Sequence, residues 1–338
     1  MKSTRLGLFA ASAVVIGGLF SGCSKTSAPG SGTSSTPAEI TIASVPPGLK
    51  SPFHTGVKAG CERVEKEYGW HLDVQAAEKE TDFNGQISIV EQMVNRGVNA
   101  ITICAINDKA IGTAIEKANS KNIPIFINNS ISPVDVGKVT QYIGYNQYEG
   151  GRKCGEYAVK LLNGKGKIAI MQGIPGFHNT ERSSGFKSVI KKYPGIVIVQ
   201  EPVCDWLREK ATNNAAQTLQ RYPDIKLIFG ISDEMAIGAS LAAQEKGLNI
   251  YTIGVDGNPA TLDEIESGRI TATLGVYPDK MGETVLRQMK KVFNKEKVPL
   301  YLETTGVMVD KSNLADYRAG KLWEEPKASK AEIVQTKR

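Results

Sequence analysis

The feature that most constrains the fold is a repeated alternation of short apolar runs with segments of helical spacing. Residues 40–43 form a β-rich run, and residues 100–104 are almost entirely apolar. Between such runs, apolar side chains recur at three- and four-residue steps, as at Val57, Cys61 and Val64, which is typical of an amphipathic helix. Alternating strands and helices predict a parallel sheet covered by helices on both faces, with right-handed crossovers.

The alternation runs through the chain twice. A first series has strand-like segments at 40–43, 72–74, 100–104 and 123–127, with a helix predicted at 110–119. A second has strand-like segments at 167–171, 196–199, 227–229 and 251–255, with helices predicted at 185–192 and 211–222. Two similar α/β lobes are indicated, and the ligand site of such a protein is expected beyond the carboxyl ends of the strands.

The two halves also share residues. Segment 107–128 aligns with segment 232–254, because an acidic residue, Asp108 or Asp233, is followed in each by Ala-Ile-Gly. We expect each of these carboxylates to cap the N-terminus of a helix. The alignment favours an internal duplication over chance similarity between two helix-to-strand units.

The N-terminus predicts export. Lys2 and Arg5 precede an apolar run at 6–20, which is shorter than the roughly 20 residues needed to span a bilayer, so residues 1–22 are interpreted as a secretory signal. Ser21-Gly22-Cys23 resembles the lipobox of bacterial lipoproteins, which implies a lipid on Cys23; the alternative is an ordinary signal with a chance cysteine. Residues 24–37 are rich in Gly, Ser and Thr and predict a flexible linker.

Composition and motifs exclude several classes of function. The net charge of +6 is small and is not clustered on one segment, which argues against nucleic-acid binding. There is no C-x-x-C pair, nucleophile elbow or phosphate-binding loop, so neither an enzyme nor a cofactor is expected. The cysteines after the signal could form disulfides or remain as buried thiols, and the histidines are too dispersed for a metal site: Cys61, Cys104, Cys154 and Cys204; His54, His71 and His178.

Four motifs occur in a characteristic order, at 118–125, 181–186, 232–238 and 253–257. Together they resemble the periplasmic sugar-binding proteins of ABC importers, in particular the ribose-binding type. The resemblance implies two Rossmann-like lobes joined by a three-strand hinge, with the ligand in the interlobe cleft. The expected organisation is a signal peptide at 1–22, a lipidated Cys23 and linker at 23–37, lobe 1 at 38–143 plus 278–303, lobe 2 at 144–276 plus 306–325, and a tail at 326–338.

The resemblance also implies site residues. Aromatic rings stack on the faces of a sugar, while carboxylates and guanidinium groups bind its hydroxyls. Phe53 and Trp206 fall on family aromatics, His54 where a second aromatic is common, and Arg182 and Asp256 on the ligand arginine and aspartate. The alternatives are core packing for Phe53 and Trp206, a helix cap or a surface ion pair for Arg182, and a turn with Gly257 for Asp256.

Several positions depart from the family pattern, which usually has Asp-Arg at Asn129 and Ser130, and asparagine at Ser51, Cys104 and Ser232. Val276 replaces a hinge glutamine. Each lost partner would leave a sugar hydroxyl unsatisfied at about 1–3 kcal/mol, so we expect a smaller or less hydroxylated ligand, or a site partly filled by water. The complete predicted ligand site is Ser51, Phe53, His54, Asn129, Arg182, Trp206, Ser232 and Asp256.

The expected function is that of a monomeric, exported solute-binding lipoprotein, in the periplasm or on the outer face of the cell membrane. It would capture a small polar ligand by hinge closure and deliver it to an ABC permease. The alternative is a receptor of the same fold that signals to a chemoreceptor or a histidine kinase. A repressor of the LacI type is excluded, because the export signal and linker stand where a helix-turn-helix would be.

Overall fold

The computed structural model describes residues 39–131 and 133–329 of the 338-residue chain. The predicted signal peptide, Cys23 and the linker to residue 37 lie outside the described residues, as does the end of the predicted tail, 330–338. No helix among the described residues is long and apolar enough to cross a membrane.

The first series of elements forms one sheet with its covering helices. In chain order these are β1 (Thr41–Val45), α1 (Pro52–Tyr68), β2 (His71–Val74), α2 (Phe83–Arg96), β3 (Ala100–Ile103), α3 (Gly112–Ser120), β4 (Ile125–Asn128) and β5 (Gln141–Gly144).

The second series forms the other sheet, and the last elements of the chain are divided between the two sheets. The elements are α4 (Gln147–Leu162), β6 (Gly166–Met171), α5 (Phe177–Ile190), β7 (Ile196–Gln200), α6 (Arg208–Arg221), β8 (Ile225–Gly230), α7 (Asp233–Glu245), β9 (Tyr251–Asp256), α8 (Pro259–Ser267), β10 (Ala272–Gly275), α9 (Pro278–Phe293), β11 (Tyr301–Glu303), β12 (Val307–Asp310), α10 (Leu314–Arg318) and β13 (Lys327–Ala328).

The strands form two separate sheets. The first has the order β13-β11-β5-β4-β3-β1-β2 and the second the order β12-β10-β9-β8-β6-β7. All neighbours are parallel except the edge strands β13 and β12, which are antiparallel to β11 and β10. Every residue of β3 and β4 is buried, as expected for strands covered on both faces. The predicted fold class, two parallel α/β lobes flanked by helices, is confirmed.

The chain passes between the two sheets four times, at 145–146, 276–277 and 304–306 and again between β12 and β13, at 311–326. The segments at 278–303 rejoin the first lobe, where α9 packs against α1 and β11 pairs with β5. We expected residues 326–338 to be a tail, but Lys327–Ala328 pair with Leu302 and Glu303 and extend the first sheet. The C-terminal segment therefore returns to the first lobe, because the edge of β11 has unpaired backbone groups to satisfy.

Two expectations about helix ends are wrong. Asp108 does not cap α3, which begins at Gly112; instead, the Asn107 side chain accepts hydrogen bonds from the backbone N–H groups of Lys109 and Ala110. The cap of α7 is Ser232, whose hydroxyl oxygen accepts from the N–H of Met235 at 3.4 Å.

Asp233 has a different role from the predicted cap. Its buried carboxylate accepts hydrogen bonds from the Thr273 hydroxyl at 2.5 Å and from the Asn258 N–H at 2.7 Å. Because Asn258 directly follows the end of β9, Asp233 fixes the loop that carries Asp256. The carboxylate is thus occupied by a donor from β10 and one from the loop after β9, while the Ser232 hydroxyl caps the helix.

Helix α5 begins at Phe177, well before the predicted start at 185. It packs closely on α4, since an added Cβ on Gly151 would lie 2.0 Å from the Arg182 carbonyl oxygen. The reciprocal position is Gly185, where a Cβ would lie 2.0 Å from the Tyr148 carbonyl oxygen. The two glycines therefore set the distance at which α5 presents Arg182 beside the first crossing.

The four cysteines of the described part of the chain are free and buried: Cys61, Cys104, Cys154 and Cys204. Of the two interpretations that the sequence allowed, buried thiols are therefore the one observed. Burial also raises the pKa of the Cys61 and Cys104 thiols to about 12, so these side chains behave as small apolar groups.

Candidate ligand-binding site

A cavity of about 90 Å³ lies between the carboxyl ends of the two sheets. Lobe 1 contributes the start of α1 and the segments after β3 and β4; lobe 2 contributes the start of α5, the β7–α6 loop and the ends of β8 and β9. The structure brings all eight sequence-predicted residues to this one cavity: Ser51, Phe53, His54, Asn129, Arg182, Trp206, Ser232 and Asp256. At about 10–15 Å³ per water molecule, the space is that of a compact, small ligand.

Arg182 is the buried cation of the cavity, with 5% of its side chain exposed. Its Nε donates to Oε1 of Gln147 at 2.6 Å, and its Nη1 donates to the Ile231 carbonyl at 2.7 Å. The guanidinium carbon lies 5.6 Å from the centre of the Trp206 ring and 5.7 Å from that of Tyr145, within cation–π distance of both.

Asp256 lies opposite Arg182 at the end of β9, with Oδ1 3.6 Å from Nη1. Burial raises the pKa of the Asp256 carboxyl well above its usual value, although the Arg182 charge acts in the opposite direction. The site therefore holds a buried acceptor beside a buried donor. Such a pair can bind the hydroxyl groups of a polyol, which both donate and accept.

Backbone strain is concentrated at this cavity. Asn129, Trp206 and Asp256 have φ angles of 59°, 66° and 134°, in regions that residues with a side chain rarely adopt. Each conformation stores of order 1–3 kcal/mol and persists only where the surroundings enforce it. Three of the eight predicted residues thus have a strained backbone conformation, and all three line the cavity.

Aromatic side chains line the cavity from both lobes. Phe53 and His54 on α1 meet edge to face, with ring centres 5.1 Å apart. In lobe 2, Trp206 lies against the backbone of Gly173, where an added Cβ would lie 2.4 Å from the indole ring. Phe177, also at the wall, contacts His178 with ring centres 5.5 Å apart. The cavity wall thus contains aromatic side chains from each lobe, whose apolar faces can contact a ring.

Both cavity histidines are neutral at neutral pH. Burial, and then the Arg182 charge, lower the pKa of His54 and of His178 to about 3. A neutral imidazole has one donor and one acceptor nitrogen, and Nδ1 of His178 is buried with no partner in the described residues. The histidines therefore add hydrogen-bonding groups without adding charge.

Sequence reasoning missed several residues at the cavity. His178 and Asn179 lie on the first turn of α5, which is outside the helix predicted at 185–192. Asn179 Oδ1 accepts from the Gly173 N–H at 2.8 Å and fixes the loop after β6. Glu80, from the loop between β2 and α2, had no sequence signal, since only the tertiary fold brings it to the cavity. Gln147 was also missed, and its role depends on contacts with both lobes.

Four of the positions that depart from the family pattern line the cavity: Ser51, Cys104, Asn129 and Ser232. Asn129 Nδ2 is 3.9 Å from the Cys104 sulfur, and both residues line the cavity. Ser51 precedes α1 and makes no capping hydrogen bond with its side chain, while Val276 is fully buried in the second crossing. No group of three metal-ligating side chains occurs within residues 39–131 and 133–329.

Comparison with known proteins identifies relatives over the same region. The periplasmic binding protein domain matches residues 42–297. The ribose import binding protein RbsB of Bacillus subtilis is 31% identical over 274 residues, covering 79% of this chain and 88% of that protein. The D-allose-binding periplasmic protein of Escherichia coli is 28% identical and covers 77% of this chain and 89% of that protein.

Solved structures agree with the fold. An ABC transporter periplasmic solute-binding protein from Actinobacillus succinogenes, with bound D-allose, superposes with a TM-score of 0.78 at 28% identity, covering 82% of this chain and 100% of that one. A carbohydrate transporter solute-binding protein from Agrobacterium radiobacter, in complex with D-arabinose, gives the same TM-score of 0.78 at 28% identity, covering 86% and 100%. The chain therefore belongs to the periplasmic binding protein family, among the type I sugar-binding proteins of ABC transporters, which are binding proteins and not enzymes.

Proposed function

We propose that this protein captures a small, sugar-like ligand in the interlobe cavity and delivers it to the permease of an ABC importer. One observation carries the proposal. A single cavity between two lobes combines aromatic walls with the buried Arg182–Asp256 pair, separated by 3.6 Å. Apolar faces and paired donors and acceptors are the chemistry that a polyol ring requires.

The crossings at 145–146, 276–277 and 304–306 support a mechanism of hinge closure. Ligand contacts come from lobe 1 at Phe53, His54 and Asn129, and from lobe 2 at Arg182, Trp206 and Asp256. A ligand that binds both sets stabilises the closed arrangement more than the open one, and this differential affinity drives closure. A permease can then recognise the closed form by the relative positions of the two lobe surfaces.

The names of the relatives point to sugars as the ligand class, since they are described as binding ribose, allose or arabinose. The pocket of this chain differs from the family pattern at Asn129, Ser232 and Cys104, all of which line the cavity. We therefore expect a ligand related to these sugars, with a different arrangement of hydroxyls or substituents.

Tethering through Cys23 is part of the proposal, although that residue lies outside the described part of the chain. A lipid anchor followed by a Gly- and Ser-rich linker would keep the binding body close to the permease and raise its effective concentration there. Cys23→Ser should release the protein from the membrane fraction, with Ser24→Ala as the matched control. Continued membrane association of the Cys23→Ser variant would contradict the anchor.

The binding function is tested by thermal unfolding of the purified protein with D-ribose, D-allose, D-arabinose, myo-inositol and the amino sugars D-glucosamine and D-galactosamine. A ligand that binds only the native state raises the unfolding temperature. We expect at least one probe to do so and to change the fluorescence of Trp206. Failure of every member of this panel would contradict the proposed function.

A further inference from the structure

Glu80 presents a carboxylate at the cavity wall that the protein itself does not neutralise. It lies in the loop between β2 and α2 and lines the cavity with the predicted site residues. Burial raises the pKa of its carboxyl above the usual value. Within the described residues it has neither a hydrogen bond nor an ion pair.

The other charges at the cavity are compensated. Asp256 faces Arg182 at 3.6 Å, and Glu234 forms a two-point ion pair with Arg208 at 2.9 and 3.0 Å. Both histidines are neutral, and no lysine of the described chain lines the cavity. Glu80 is thus the one charge of this wall that lacks a counter-ion in residues 39–131 and 133–329.

The position of Glu80 is constrained. An added Cβ on Gly48 would lie 2.8 Å from Glu80 Cγ and 3.2 Å from Oε1, so the side chain packs directly on the Gly48 backbone. Its charge also contributes to raising the pKa of the Cys104 thiol, which lies on the same wall. The carboxylate is therefore held beside the cavity and is not a freely moving surface group.

An unpaired carboxylate withdrawn from water costs free energy, and that cost disappears when a cation binds beside it. A neutral hydroxyl can donate one hydrogen bond, but it leaves the charge in place. A protonated amine supplies both the charge and several donors, and charge-assisted hydrogen bonds are about twice as strong as neutral ones. The cavity is therefore electrostatically more complementary to a cationic ligand than to a neutral one.

We propose that the ligand carries a protonated amine, as an amino sugar or an aminated cyclitol does, and that Glu80 is its counter-ion. This inference rests on the proposed function, because it assigns the ligand class of the same cavity. In this arrangement the aromatic walls contact the ring, Arg182 and Asp256 bind its hydroxyls, and Glu80 receives the ammonium group. Glu80 then selects amino sugars over the corresponding neutral sugars.

The test compares D-glucosamine and D-galactosamine with D-glucose and D-galactose, at a mildly acidic pH where the amines are protonated. Binding is measured by calorimetry and by thermal unfolding for the wild type, Glu80→Gln and the exposed control Glu78→Gln. We expect an amino sugar to bind the wild type at least about tenfold more tightly than its parent sugar, and Glu80→Gln to remove that preference. Glu78→Gln should leave it unchanged.

The ligand-free protein provides a second readout. Because Glu80→Gln removes an uncompensated charge, its unfolding temperature without ligand should equal or exceed that of the wild type. A lower unfolding temperature would show that the protein already pairs Glu80, and would overturn the inference.

The two proposals fail in different ways. Equal binding of amino and neutral sugars, or a preference that survives Glu80→Gln, would overturn the role of Glu80 while supporting a sugar-binding function. Binding of neutral sugars alone would do the same. Failure of all four sugars would overturn the inference, while the proposed function would then be decided by the wider panel of sugars and polyols.

Discussion

Nε of Arg182 donates a 2.6 Å hydrogen bond to Oε1 of Gln147, and Nε2 of the same glutamine donates to the Asn129 carbonyl at 2.8 Å. Gln147 is the first residue of α4, directly after the first crossing between the lobes. Arg182 belongs to lobe 2 and Asn129 to lobe 1, so one buried amide links Arg182 to the opposite lobe. The orientation of Arg182 thereby depends on the relative position of the two lobes.

Replacing Gln147 by Leu should therefore weaken ligand binding more than it destabilises the fold. The change leaves the Arg182 Nε without its acceptor, and a hydrogen bond to a charged group contributes about 1.5–3 kcal/mol. Affinity for any ligand found by the thermal screen should fall by about tenfold or more. Isothermal calorimetry measures the affinity, and urea unfolding measures the stability.

The matched control for that change is Gln217→Leu, at an exposed position on α6. It should alter neither affinity nor, beyond about 0.5 kcal/mol, stability. Unchanged affinity in Gln147→Leu would show that Arg182 is oriented without the glutamine.

The Arg182–Asp256 pair predicts strongly coupled effects on stability. Arg182→Met leaves a buried carboxylate without its cation, which costs about 3–5 kcal/mol. The double variant Arg182→Met, Asp256→Asn removes the charge as well and should recover part of this loss. Urea unfolding of the wild type, both single variants and the double variant gives the coupling free energy.

An exposed ion pair serves as the control for this cycle. Arg318 and Asp263 are joined at 2.6 Å, with side chains 36% and 73% exposed. Arg318→Met should change stability by only about 0–1 kcal/mol, because water screens the pair. Additive effects of the Arg182 and Asp256 substitutions would mean that the two side chains do not interact in solution.

The sequence predicted the architecture well because the relevant signals are local and periodic. Apolar runs such as 100–104 can be recognised as strands covered on both faces, and β3 is fully buried. The eight predicted residues were inferred from motifs that occur in the family order, and all eight line one cavity because the chain adopts the family fold. Residues such as Gln147 and Glu80 could not be predicted in this way. Their roles arise from contacts between segments distant in sequence, which no periodicity encodes.

Helix ends are poorly predicted by apolar periodicity for a related reason. The apolar pattern of α5 becomes clear only after 185. Its first turns contain polar residues that line the cavity, Asn179 and Arg182. Asp233 was expected to cap α7, but the Thr273 hydroxyl and the Asn258 N–H are better placed to donate to it. Where function or tertiary contacts determine a residue, local propensity is a poor guide.

The cavity histidines predict loss of stability in acid. Burial lowers the pKa of His54 and of His178 from 6.5 to about 3, so the folded state binds fewer protons than the unfolded chain. Their contribution is complete above about pH 6.5 and is lost as the pH falls towards 3, by up to about 1.4 kcal/mol per pH unit for each histidine. Urea unfolding at several pH values should show a shallower profile for His54→Gln than for the wild type.

The comparison between variants is needed because a buried carboxyl acts in the opposite direction. Burial raises the pKa of Asp233 from 3.8 to about 6, so its contribution increases stability as the pH falls through that interval. His71→Gln, at an exposed position on β2, is the matched control and should retain the wild-type profile. Parallel profiles for the wild type and His54→Gln would contradict a buried neutral histidine.

The close packing of α4 and α5 predicts that Gly151→Ala impairs both stability and binding. Alanine improves the helix propensity by up to about 1 kcal/mol, but its Cβ would lie 2.0 Å from the Arg182 carbonyl oxygen, so the helices must separate. Such overpacking costs about 1–3 kcal/mol or more, and separation shifts Arg182 relative to Gln147. Thermal unfolding should show net destabilisation, and calorimetry a weaker affinity.

The control is Gly306→Ala, where an added Cβ has no neighbour closer than 3.7 Å, so stability and affinity should stay near those of the wild type. Full stability of Gly151→Ala would show that the helices separate without penalty and that this contact does not set the position of Arg182.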